Sequence, residues 1–180
     1  MKTFLNTIFF TSIYFIASSG CSKNLTQVEN QAILFQYEYV NFAWGYHHSG
    51  YIIDGEGNIL TFKNPEGWNF AGSDSSLTEE QVSSNLSKCI PTGKKIPHEE
   101  LIKYSKLIKN LSLSEVSAPK NVGADAGSIE FLCYKFSSRT GKYKRCLIKK
   151  EGDFTCENLN FFAKRVATWM QELNNSISLH

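Results

Sequence analysis

Residues 51–62 read Tyr51-Ile52-Ile53-Asp54-Gly55-Glu56-Gly57-Asn58-Ile59-Leu60-Thr61-Phe62, two short apolar runs separated by polar residues and glycine. Asp at the first turn position and Gly57 at a position that favours left-handed backbone fit a type I turn with a glycine bulge. Strands joined this tightly run antiparallel, because a parallel pair needs a crossover of about a dozen residues or more. Asp54, Glu56 and Asn58 also alternate as in a calcium loop. Ile59, however, stands where such a loop needs Gly, and Pro65 where it needs a bidentate Glu, so the turn accounts for these residues and no metal is expected.

Upstream, Ile33, Phe35, Tyr37 and Tyr39 share one parity, with Gln36 and Glu38 opposite, the period-two signature of a half-buried strand. After Val40 the apolar parity shifts to Phe42, Trp44 and Tyr46, with Gly45 between them, which predicts a bulge or bend near Asn41. Downstream, Asn64 to Ser76 reads as loop. Leu77-Thr78-Glu79-Glu80-Gln81-Val82 then opens a helix: Thr78 can cap it, Gln81 completes a capping box, and Leu77 can staple onto Val82. Val82, Leu86, Cys89 and Ile90 are its expected inward stripe, ended by Pro91 and Gly93.

Pro97 opens a second helix, with Glu99 and Glu100 in its first turn and Leu101, Tyr104, Ile108 and Leu111 as its core face. A second hairpin is expected from Ile129–Phe136 and Tyr143–Ile148, turning through residues 138–141, and Gly152 to Thr155 reads as a turn and cap. A last amphipathic helix spans about Asn158 to Leu173. Hairpins with helices grouped between and after them argue for an α+β fold. The expected architecture is one domain, residues 31–180, with an antiparallel sheet of about five strands in two hairpins covered by about three helices.

The composition narrows the function classes. Of 180 residues 42% are hydrophobic and 20% charged, which excludes a disordered chain, and a net charge of +2 is too small for a nucleic-acid binder. No GxSxG elbow, Walker loop, HExxH or dinucleotide fingerprint is present, so no catalytic residue and no cofactor are assigned. His47 and His48 are adjacent, so on a strand they point to opposite faces and cannot share one ion without a bulge. Either could act as a general base with Glu38 or Asp54 nearby. The aromatic set Tyr37, Tyr39, Phe42, Trp44, Tyr46, Tyr51, Trp68 and Phe70 is the most distinctive feature; about half should be core. Tyr37, Trp44 and Tyr46, with His48, are the candidate binding residues for a protein or glycan.

Cys89, Cys133, Cys146 and Cys156 are an even set, which in an exported chain favours disulfides, with three connectivities open. Cys133 and Cys146 lie on the two arms of the second hairpin. A four-residue turn sets them opposite each other, and a bulge at Gly141 sets them on opposite faces. No Cys-x-x-Cys pair or Cys–His cluster supports zinc.

The leader carries the one resemblance. Met1-Lys2 is followed by a mostly apolar run to Ala17, too short and too polar to span a bilayer well, but suited to a signal-peptide core. Ala17-Ser18-Ser19-Gly20-Cys21 then resembles the lipobox of bacterial lipoproteins. The resemblance implies that residues 1–20 are a signal peptide and that Cys21 carries a diacylglycerol on its sulfur and begins the mature chain. Residues 21–30 (with Lys23, Asn24, Thr26, Gln27 and Glu29) then form a lipidated tether. Ser22 after the cysteine, in place of Asp, implies the outer membrane, the domain facing the periplasm. Ser18 stands where the family usually has Leu, and ordinary secretory cleavage near residues 17–19 is the alternative. The domain itself is similar to small bacterial lipoproteins of unknown function, a resemblance that implies no site. These readings point to an envelope module without catalysis that binds a protein or glycan. The alternatives are a small periplasmic hydrolase using His47 or His48 with an acidic partner, and an inhibitor or immunity-type protein that occupies a partner's cleft.

Overall fold

The computed structural model describes residues 31–177; Cys21, the leader and the tether lie outside them. In chain order the elements are β1 (Ile33–Asn41), β2 (His47–Asp54), β3 (Asn58–Lys63), β4 (Ser76–Thr78), α1 (Glu79–Leu86), β5 (Ile90–Lys95), α2 (His98–Ser105) and α3 (Ile108–Leu111). They continue with β6 (Lys120–Asn121), β7 (Ser128–Ser137), β8 (Lys142–Gly152), β9 (Phe154–Glu157) and α4 (Ala163–Ile177). Eight strands lie in the order β5-β3-β2-β1-β7-β8-β9-β6, and β4 adds to β8. All the strand pairings are antiparallel. The fold is α+β.

The two expected hairpins form the centre of this sheet. Gly57 has φ +85° and its N–H bonds the Asp54 carbonyl at 3.1 Å, while the Asp54 carboxylate accepts from the backbone of Glu56 and Asn58. The β7–β8 hairpin turns through residues 138–141 in the four-residue register, with Ser137 opposite Lys142.

The sheet has nine strands where about five were expected. The four additional ones are short: β4, β5, β6 and β9 span six residues or fewer. β5 shows why such strands escape a pattern reading. Ile90 is 68% exposed, so it is not part of a helix stripe, and Pro91 sits on a sheet edge where its missing N–H costs nothing. Backbone pairing and the Thr92 hydroxyl bond to the Ile59 carbonyl hold the strand, without an alternating buried face to signal it.

The helices follow their capping signals but not always their expected lengths. Thr78 and Gln81 form the capping box of α1, and Leu77 and Val82 are buried together. The helix opened by Pro97 breaks after Ser105 and resumes as the single turn α3. Leu101, Tyr104, Ile108 and Leu111 still share one buried face. The last helix starts at Ala163, not Asn158: residues 154–157 form β9, Asn158 bridges to Val116, and the Asn158 and Asn160 side chains accept from the backbone of Asn160 and Phe162. Buried Asn158 donates to the carbonyls of Leu111 and Leu147, and Leu159 is left exposed. Trp169 of α4 stacks on Tyr104 with centroids 4.0 Å apart and donates its indole N–H to Glu100. Burying Val166, Trp169 and Met170 stabilises this contact by about 1.5–3 kcal/mol per side chain before entropy.

Both faces of the sheet are covered. α2, α3 and α4 pack over Phe35, Tyr51, Phe131, Cys133 and Ile148 on one face. α1 and the segment 64–75 pack over Ile52, Phe62, Leu132 and Tyr134 on the other. Asn69 and Asn85 bind that segment to α1 through reciprocal bonds of 2.8–3.0 Å. The β1 strand is therefore enclosed on both sides, not half-buried, which places its polar parity, Gln36 and Glu38, inside the protein.

Candidate functional site

The polar parity of β1 meets His48 beneath the segment 64–75. In the β1–β2 register Val40 pairs with His48 and Glu38 with Gly50, so Glu38 and His48 are diagonal neighbours on one face. Gly50 provides the room. A Cβ there would overlap the Tyr37 carbonyl and lie 2.9 Å from the Phe62 ring. His48 is fully buried, its ring enclosed by Phe62, Trp68 and Phe70 at centroid distances of 4.9–5.2 Å. His47, one residue away, points to solvent, as alternation requires.

A chain of hydrogen bonds runs through this face. His48 Nε2 lies 3.0 Å from Glu38 Oε2, and Gln36 Nε2 donates to the same oxygen at 2.8 Å. Tyr134 donates its hydroxyl hydrogen to Gln36 Oε1 at 2.9 Å. An ionised carboxylate only accepts, so His48 Nε2 carries a proton toward Glu38 and Nδ1 is free to accept from the Tyr46 hydroxyl at 3.2 Å. Burial, with the charge of Glu38 adding, raises the phenols of Tyr46 and Tyr134 above their ordinary values, keeping both as neutral donors.

Glu38 and Glu130 are register partners on β1 and β7, two like charges directly opposed. Arg145 of β8 bridges them, contacting Glu38 Oε1 at 3.4 Å and Glu130 Oε2, and Lys150 adds a contact to Glu130 at 3.0 Å. The β7–β8 register, with Tyr134 opposite Arg145 and Glu130 opposite Lys150, brings both cations to this face.

A carboxylate on one imidazole nitrogen and a hydroxyl on the other is the arrangement of a nucleophile relay. Here the hydroxyl belongs to a phenol held protonated, and the imidazole has no exposed surface. None of the four clefts described, of about 290–670 Å³, is lined by His48 or Glu38. The chain of bonds, a clamp in form, holds the Tyr46 hydroxyl from below.

Above the clamp lies the β1–β2 connection, residues 42–46. Phe42 is 69% exposed, Trp44 78% and Tyr46 42%, and the rings of Phe42 and Tyr46 are 5.5 Å apart. Phe70, which touches His48, is also exposed. Several polar groups of this tip are used internally. Asn41 accepts from the Ala43 backbone and donates to the Tyr39 hydroxyl and the Asp125 carbonyl, and Asp153 accepts from the Ala126 backbone. A cleft of about 290 Å³ lies beside the tip between Phe42 and Phe154, floored by Gly127 and rimmed by Lys150.

Of the four candidate binding residues, Trp44 and Tyr46 share the exposed tip. Tyr37 and His48 do not. Tyr37 is buried on the helix-covered face, stacked on Tyr51 at 5.6 Å, because its parity faces α4. His48 lies below Tyr46 as a support, not as surface. The sequence reading passed over Phe42 and Phe70 as individual candidates and missed Arg145 and Glu130. Parity held the signal for the buried pair: recognising Gly45 as part of a short turn sets the register that makes Glu38 and His48 neighbours.

In the structure Cys89, Cys133, Cys146 and Cys156 stand as free thiols. Cys89 precedes β5 and Cys156 lies in β9 near the other edge of the sheet, while Cys133 and Cys146 are partners in the β7–β8 ladder. A second apolar exposure, Leu113, Val116, Leu159 and Phe161, lies where Val116 bridges to Asn158. Among the described residues no helix is long and apolar enough to cross a membrane. No family model, curated protein or solved structure matches the chain.

Proposed function

We propose that this chain is a lipid-anchored envelope protein whose domain is a non-catalytic binding module, and that its β1–β2 tip inserts into an apolar cleft of a protein partner. The observation that carries the reading is the exposure of Phe42 and Trp44 on a tip whose neighbour Tyr46 is fixed by the buried Glu38–His48 pair. Large aromatic side chains held rigid and left in water are the usual anchors of protein interfaces, because they bury much area at little entropic cost. A convex tip also suits the inhibitor or immunity type of partner. A sugar site needs free donors and acceptors beside its aromatic rings, whereas the Asn41 amide, the Asp125 backbone carbonyl and one Asp153 carboxylate oxygen are already bonded within the protein. Taken on His48, the hydrolase reading has its dyad at 3.0 Å but no route for substrate to a histidine with no exposed surface; taken on His47, it has an exposed imidazole that no carboxylate among the described residues contacts.

Anchor and tip are compatible in space. A tether ending near residue 30 enters β1 at Ile33, and eight strand residues, about 26 Å at ~3.3 Å each, separate that point from Asn41 at the tip. The aromatic residues then lie at the end of β1 opposite Ile33.

The test is affinity capture from detergent-solubilised envelope with the native chain, a Phe42→Ala, Trp44→Ala variant, and Phe161→Ala as a comparison. One polypeptide retained by the native chain and by Phe161→Ala, and lost with the tip variant, is the expected result. Equal retention by all three, or loss only with Phe161→Ala, overturns the reading. Cys21→Ser should release the protein from membranes, and unchanged membrane association counts against the anchor.

A further inference from the structure

We propose that Cys133 and Cys146 are a redox-active pair that closes to a cross-strand disulfide, while Cys89 and Cys156 remain thiols. The sheet register singles out this pair. Cys133 on β7 and Cys146 on β8 are direct partners in the hairpin ladder, and both side chains face the helix-covered core. Directly opposed residues in an antiparallel ladder have Cα atoms about 4.5 or 5.5 Å apart, and both spacings lie inside the ~4.4–6.8 Å range of disulfides.

Other pairings fail on distance. Cys89 adjoins β5 and Cys156 lies in β9, six strand spacings away, or close to 30 Å at ~4.8 Å each. Cys89 is likewise about four spacings, roughly 19 Å, from Cys133 on β7 and one further from Cys146. Cys156 pairs with Lys150, four residues along β8 from Cys146, which is about 13 Å of strand.

The two sulfurs are chemically unequal. A hydrogen bond from Cys133, with Lys144, Lys135 and Arg145 adding, holds the Cys146 thiol below its ordinary value. The same bond, together with burial, pushes Cys133 well up. Cys146 is also the less enclosed, 6% exposed against 0%. It is therefore the attacking thiolate. It opens the disulfide of an oxidant such as glutathione disulfide or a thiol–disulfide oxidoreductase, forming a mixed disulfide and expelling one thiolate. The Cys133 sulfur then attacks the Cys146 sulfur and expels the second thiolate, its proton passing to a leaving sulfur. Two thiols are oxidised to one disulfide and one disulfide is reduced to two thiols. The bond would fix the hairpin register next to Arg145, which bridges Glu38 and Glu130.

The four cysteines fall on separate tryptic peptides, residues 89–94, 121–135, 146–149 and 151–164. The full chain is refolded with glutathione disulfide, blocked with iodoacetamide, digested without reductant and weighed. Peptides 121–135 and 146–149 should appear linked, lighter by two hydrogens than their sum, with the other two alkylated. A Cys89→Ser, Cys156→Ser variant should give the same link, and Cys133→Ser should leave Cys146 without a protein disulfide partner. Four singly alkylated peptides, or a link through 89–94 or 151–164, overturns the proposal. Because the oxidant is supplied in the tube, neither outcome depends on the lipid anchor or on the aromatic tip.

Discussion

Replacing His48 by Phe isolates what the buried polar chain contributes. The new ring keeps the aromatic volume among Phe62, Trp68 and Phe70, so little of the cost comes from packing. The loss is polar. Glu38, 5% exposed, gives up a contact of 3.0 Å and cannot replace it with water, although Gln36 at 2.8 Å and Arg145 at 3.4 Å remain. A hydrogen bond to a charged group is worth about 1.5–3 kcal/mol, and the burial of Glu38 puts the cost near the top, about 3 kcal/mol. Tyr46, half-exposed, turns its hydroxyl to water and adds little. For a domain of this size the melting temperature should fall by roughly 6–12 °C. Urea titrations followed by far-UV circular dichroism and by tryptophan fluorescence measure the change, with Trp68 reporting from the ring's own surroundings. Adding Glu38→Gln to His48→Phe should cost less than the sum of the single changes, because the two residues are in contact. A His48→Phe chain within about 0.5 kcal/mol of the native one would refute the role given to this pair.

Other outcomes follow from single positions. Gly50→Ala drives a methyl group into the Tyr37 carbonyl and toward Phe62, and should cost about 3 kcal/mol or prevent folding; a soluble variant with native melting would contradict the register. In acid, the carboxyls of Asp74 and Glu80 lie below their ordinary values of 3.8 and 4.5, held by hydrogen bonds from Lys142 and from Thr78 respectively. The unfolded chain therefore binds protons more readily than the folded one. The stability these groups supply at neutral pH is lost as pH falls through and below that range, and Asp74→Asn should shallow the acid limb of a stability–pH curve. Burial pushes the Cys89 thiol up to about 11, so at pH 8 it should alkylate far more slowly in the folded chain than in urea; equal rates would contradict its placement.

The central elements were readable because each carried a local signal. The Asp54–Asn58 turn, the Thr78–Gln81 box and the Leu101–Leu111 stripe depend on neighbours in sequence, and each appears in the fold where expected. β5 depends on pairing with β3, far earlier in sequence, and β9 on a short return onto β8 with β6 beyond it, and their mostly exposed side chains carry no periodicity. The enclosure of Gln36 and Glu38 was unreadable for a related reason. It depends on the segment 64–75, whose Trp68 and Ala71 pack onto the sheet without regular structure. At the tip, the shift of apolar parity to Phe42, Trp44 and Tyr46 marked the place, but the sequence could not separate core from surface there. Tyr37, on the strand β1 that leads into the tip, proved to be core.

On the proposed function, the aromatic tip touches a protein partner in the envelope. Substituting Trp44 by a photo-crosslinking phenylalanine analogue in the full chain, expressed with its leader, tests this inside cells. Irradiation should yield one discrete adduct, sensitive to protease on the partner side, and the same analogue at Phe161 should yield none. No adduct at position 44, an adduct only at position 161, or one that resists protease and yields to a glycan hydrolase would contradict it.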